Sequence, residues 1–74
     1  MSVNTIAINQ EPTELYKILK FEGLASSGAE AKFFISEGLV KLNQHVETQK
    51  RKKILAGDKL EFAGEVYLIE LGQG

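Results

Sequence analysis

The chain contains no cysteine. That excludes a disulfide staple and any thiolate metal site, so stability must come from apolar packing, an arrangement suited to a reducing cytoplasm. A single histidine, His45, and carboxylates scattered along the chain leave no nucleophile–base pair and no metal-ligating set. No catalytic residue, metal, cofactor or small-molecule substrate is therefore expected. No apolar stretch reaches the roughly 18 residues a membrane span needs, and no charged segment followed by an apolar run opens the chain, so a soluble, cytoplasmic protein is expected. An excess of positive charge is missing too. Nine Lys and Arg against ten Asp and Glu give a net charge of −1, whereas a nucleic-acid-binding domain is typically basic overall.

What remains is enough for one small domain. At 74 residues the chain can bury only about 60% of its unfolded surface, and a single unit over 1–74 is expected. Hydrophobic residues at 43% and charged residues at 26% lie in the ordinary globular range and argue against wholesale disorder.

The charge that is present is unevenly spread. Lys50, Arg51, Lys52 and Lys53 follow one another without interruption. Such a run repels itself, which fits a surface facing a polyanion such as a phosphate backbone, and equally fits a solvated loop. Beyond Asp58 the balance reverses, with Glu61, Glu65 and Glu70 against Lys59. A basic side and an acidic side would orient the molecule towards a polyanion more than they would strengthen its binding.

Read in order, the chain alternates weakly over Val3 to Ile8, a short strand with Ile6 and Ile8 on one side. Gln10 to Thr13 reads as a helix start, with Pro12 in the first turn and Glu11 and Glu14 at the positive end of the dipole. Leu15, Ile18 and Leu19 form one apolar stripe, and Gly23 followed by Leu24 is a left-handed helix stop. Ser27-Gly28-Ala29-Glu30 has the spacing of a capping box; Ala31, Phe34 and Ile35 repeat the stripe, and Gly38-Leu39 repeats the stop. Val40 and Leu42 then share a face at period two, Asn43-Gln44 sits where a two-residue hairpin turn would, and Ala56-Gly57-Asp58 and Ala63-Gly64 mark turns before strands at 59–62 and 66–71. The class is α+β: two short helices packed on a small, mostly antiparallel sheet.

The set Leu15, Leu19, Gly23, Leu24, Ser27, Ala31, Ile35, Gly38, Val40, Asn43 and Gly57-Asp58 resembles the S-four-type RNA-binding domain, named for a small-subunit ribosomal protein. The core of the resemblance spans 13–64, and the chain most resembles the stand-alone bacterial members of the YbcJ type. It implies the fold called the alpha-L motif, a monomeric, ribosome-associated RNA binder without catalytic activity, and structured RNA, ribosomal or transfer, as the partner. It also implies a binding surface made of the start of the second helix and the loop before the Gly-Asp turn. Carried across, that nominates Ser27, Gly28, Lys32, Asn43, Lys50, Arg51, Lys52 and Lys53, with Lys20 added from the end of the first helix. Gly28 stands where many relatives have arginine, and Gln44 where they have glycine. The first difference removes a phosphate or base contact.

Each of these residues also has a plainer role. Ser27 is first a helix cap and Asn43 first a turn residue, and Lys32 by itself is a solvated helix position. Arg51 is the strongest of the basic run because its planar fork can take a phosphate through two bonds. If the run were a strand, Lys50 and Lys52 would face one way and Arg51 and Lys53 the other. Phe33 and Phe34 are expected as core or helix–sheet contacts, Tyr16 and Tyr67 as half-buried edges, and His45 and the strand residues Glu61 and Glu65 as solvated. The alternative function is a protein-interaction module that docks an acidic partner through the same basic run.

Overall fold

The alternation of Ile6 and Ile8 with exposed Thr5 and Ala7 is that of a strand buried on one face. In the computed structural model, which describes residues 3–72, this segment is β1 (Val3–Ile8). It is followed by β2 (Thr13–Glu14), α1 (Leu15–Phe21), α2 (Gly28–Ser36), β3 (Val40–Leu42), β4 (His45–Val46), β5 (Lys53–Ile54), β6 (Lys59–Phe62) and β7 (Glu65–Leu71). Five strands form one sheet in the order β1-β7-β6-β3-β4, and β2 and β5 form a separate antiparallel pair. Within the main sheet only β1 and β7 run parallel, with Val3 opposite Val66 and Ile8 opposite Leu71. The two helices pack against each other and close over one face of the sheet.

The helical stripes do what their spacing dictates. Leu15, Ile18 and Leu19 of α1 and Ala31 and Ile35 of α2 are buried against Ile6, Ile8, Val40, Leu42, Leu60 and Ile69 of the sheet. Fully burying a Leu or Ile contributes about 1.5–3 kcal/mol each, so this core is what offsets the chain entropy. Both helices end in the same way. Gly23 (φ +75°) and Gly38 (φ +77°) take the left-handed conformation, and the amides of Leu24 and Leu39 reach back to the carbonyls of Leu19 (2.9 Å) and Phe34 (3.1 Å), the Schellman arrangement. Leu24 packs on the core, whereas Leu39 stays exposed.

Four local expectations are corrected. Pro12 is not in a helical turn: Thr13 and Glu14 are extended and pair with Ile54 and Lys53, so α1 begins only at Leu15. Ser27 accepts the Glu30 amide at 3.1 Å as a cap should, but Glu30 returns its carboxylate to the amide of Ser26 (2.7 Å) rather than to that of Ser27. Phe34 stacks at 5.2 Å on Phe62, while Phe33, one position round the helix, is 56% exposed. Glu61 and Glu65 are half-buried strand residues, and Glu65 accepts a bond from Asn4 at 3.0 Å.

Candidate nucleic-acid interface

An α-helix begins with backbone amides that no helical carbonyl satisfies. In α1 the basic segment satisfies the first two: the Leu15 amide donates to the Lys52 carbonyl (2.9 Å) and the Tyr16 amide to the Lys50 carbonyl (3.1 Å). The segment itself turns tightly, with the Lys52 amide bonded to the Gln49 carbonyl at 3.2 Å, and Ile54, fully buried, anchors its far end. Because the carbonyls point into the helix start, the side chains are left outside. Lys50, Arg51 and Lys53 are exposed and Lys52 half-buried. Strand-like alternation does not apply to residues 50–52, which form a turn and a coil; only Lys53 lies in a strand, β5.

Tyr16, half-buried, is where the parts meet. The Lys32 ammonium lies 4.6 Å from its ring centre and the Arg51 guanidinium 5.5 Å, both within cation–π range. These two cations come from α2 and from the basic loop. A Cβ at Gly28 would sit 3.7 Å from the edge of the same ring, so the start of α2 borders it as well. Lys20, exposed, lies one helical turn beyond Tyr16 on α1, on the same face by i,i+4 geometry, with its ammonium 5.9 Å from the Phe21 ring. Gly28, Lys32 and Arg51 thus border the Tyr16 ring, with Ser27 capping α2 and the backbone of Lys50 and Lys52 on the start of α1, whereas the Lys20 ammonium is placed over Phe21 and Lys53 stands on the cleft beside Lys17.

One carboxylate enters this region. Glu14, the residue before α1, holds Lys17 through one oxygen and Arg51 through the other, each at 3.4 Å. Partial burial tends to raise the Glu14 pKa, but the Lys17 hydrogen bond and charge, followed by the Arg51 charge, outweigh it and leave the carboxyl below its ordinary value. Arg51 nevertheless keeps 65% of its side chain exposed. Sequence reasoning nominated neither Tyr16 nor Glu14 for the site, since only the return of the basic segment to the start of α1 brings them there.

Asn43 has other company. It and Gln44 occupy a hairpin turn with positive φ (+51° and +72°), and its side chain accepts from the Lys59 amide (3.0 Å) and donates to Asp58 (3.2 Å). Asp58 in turn accepts from the Leu55 amide at 2.8 Å. The amide therefore latches one turn to the next. Among the described residues no group of three or more His, Asp or Glu side chains is placed to hold a metal ion, and no helix is long and apolar enough to cross a membrane.

The fold and the cation-rich start of its paired helices define the class, and the chain belongs to the S4 domain family, whose pattern matches residues 6–70. It is 49% identical over 61 residues to the Escherichia coli (strain K12) protein named "Putative RNA-binding protein YbcJ", covering 81% of this chain and 87% of that one. It is 34% identical over 61 residues to "Probable ribosome maturation protein RlbA" of Bacillus subtilis (strain 168), covering 82% and 86%. The solution structure of Escherichia coli YbcJ, described as revealing an alfaL motif involved in RNA-binding, superposes with a TM-score of 0.64 at 41% identity, over 95% of this chain and 87% of that one.

Proposed function

We propose that this chain is a non-catalytic, cytoplasmic RNA-binding domain that engages structured RNA as a monomer, with ribosomal RNA the favoured target and transfer RNA the next. The observation that carries this reading is the Tyr16 ring shared by Lys32 at 4.6 Å and Arg51 at 5.5 Å, beside the start of α2. Cations from α2 and from the basic loop meet at this ring of α1, although the molecule carries a net charge of −1. Lys20, Lys32, Lys50, Arg51, Lys52 and Lys53 bind phosphates on the two sides of a groove. Ser27 and Gly28 offer the amides and the dipole of a helix N-terminus to a further phosphate. This is recognition by shape and charge, appropriate to double-stranded RNA, whose bases are hard to read from its grooves. The names of the Escherichia coli and Bacillus subtilis relatives, one an RNA-binding protein and one a ribosome maturation protein, support RNA and the ribosome over an acidic protein partner.

The test is affinity for ribosomal and transfer RNA as a function of salt. The reading expects log K to fall linearly with log salt over several phosphates' worth of slope. It also expects the double charge reversal Arg51→Glu with Lys53→Glu, folded by circular dichroism, to abolish most retention. Unchanged retention in that variant rejects it. Crosslinking in cells followed by sequencing of the attached RNA then decides which RNA is bound.

A further inference from the structure

Arg51 reaches two places at once. Its guanidinium lies over Tyr16, and one of its nitrogens lies 3.4 Å from Glu14, on the wall of a polar cleft formed with Gln10, Thr13, Lys17 and Lys53. Three cations and one carboxylate line that cleft, so +3 and −1 leave it at +2. Glu14 divides its two oxygens between Lys17 and Arg51, and among the described residues Lys53 has no ion-pair partner. At 3.4 Å both of Glu14's contacts are longer than the roughly 2.7–2.9 Å of a good charge-assisted bond. Side-chain exposures of 44% for Lys17 and 65% for Arg51 leave both cations within reach of a larger anion.

We infer that this cleft is a second phosphate seat on the same RNA, in which Lys17 and Lys53 take a backbone phosphate and Glu14 is the counter-charge displaced from Arg51. The inference rests on the RNA reading above and extends it past Arg51 to the other end of the α1 start. In the free protein Glu14 keeps Lys17 and Arg51 extended towards the cleft. In the complex it faces a phosphate of its own sign, so it holds the affinity below what the cations alone would give.

The experiment uses the full chain with fluorescently labelled total transfer RNA and total ribosomal RNA, titrated across a salt series. Four proteins are compared: wild type, Lys17→Gln, Glu14→Gln and Lys32→Gln. Circular dichroism checks that each variant is folded. Lys17→Gln is expected to weaken binding about fivefold and to lower the salt slope by about 0.7–0.9, one phosphate's worth, while Lys17→Arg keeps both. Glu14→Gln is expected to tighten binding about threefold and leave a slope at least as steep. Loss at Lys32→Gln with Lys17→Gln equal to wild type overturns the second seat and leaves the RNA reading standing. Loss at Lys17→Gln with no gain at Glu14→Gln overturns the displacement of Glu14. Wild-type affinity and slope in both Lys32→Gln and Lys17→Gln, or no retention of either RNA by wild type, overturns both proposals.

Discussion

Gly28 marks the spot where an added charge can be read most cleanly. A side chain there would start 3.7 Å from Tyr16, an ordinary van der Waals approach, and Gly28 does not have the left-handed backbone found at Gly23 or Gly38. The Cβ of Gly28→Arg thus meets no clash. Its folding cost is small: a cation at the N-terminus of α2 loses about 0.3–1 kcal/mol against the dipole, and exchanging glycine for arginine in a helix returns up to about 0.8 kcal/mol. If the Tyr16 face meets phosphate, the new guanidinium neutralises one more. Counterion release of roughly 0.8 of an ion at 0.15 M salt corresponds to about 0.9 kcal/mol, close to fivefold in affinity, and steepens the log K versus log salt line by about 0.7–0.9. Ordering a long side chain costs about 0.5–1.5 kcal/mol, comparable to the whole gain, so the slope is the more robust reading. Fluorescence anisotropy against ribosomal RNA at five or so salt concentrations measures both quantities. A folded Gly28→Arg protein with wild-type slope would show that the start of α2 does not face phosphate, and the reasoning about the site would fail there.

The other predictions concern the scaffold. Gln44→Gly should stabilise the domain by about 1 kcal/mol, because glycine escapes the left-handed cost that Gln44 bears at φ +72°, and should raise the melting temperature by about 4–8 °C. Asn43→Ala should cost about 1–2 kcal/mol in denaturant unfolding by breaking the bonds to Asp58 and Lys59; a wild-type salt slope would assign Asn43 to the turn, and a lowered one to the RNA. Ile35→Ala, at a position with no solvent exposure, should cost about 2–5 kcal/mol in the same measurement. For Glu14 the sign follows from its lowered pKa. Its pairing stabilises the fold above the ordinary carboxylate range and is lost as pH falls through the depressed value. Glu14→Gln should therefore show a shallower loss of stability on acidification than wild type, and equal slopes would contradict the pairing with Lys17 and Arg51.

Much of this architecture was legible because it is written in local periods. The stripes at Leu15, Ile18, Leu19 and at Ala31, Ile35, the glycines that stop both helices, the period-two strand at Val40 and Leu42 and the Asn43-Gln44 turn each need only a few neighbouring residues to declare themselves. What stayed hidden depends on distant residues. A two-residue strand has no period, so β2 and β5 leave no mark in the sequence, and Pro12 reads as part of a helix whose true start is fixed by the carbonyls of Lys50 and Lys52. Phe33 and Phe34 are equally apolar, and only the position of β6, which carries Phe62, decides which of them is covered. The cations of the site were visible as a composition, but the ring they share and the carboxylate that restrains them came from tertiary pairing.

The parallel union of β1 with β7 sets the order in which the molecule can be completed. β6 hairpins directly into β7, and the α1–α2 pair is similarly local, so both can form from nearby residues. β1 instead must wait for a partner whose residues begin at Glu65, and closing so long a loop is slow. During synthesis β1 therefore has no strand to pair with until β7 has been made, and this edge of the sheet, one of two, cannot close before then.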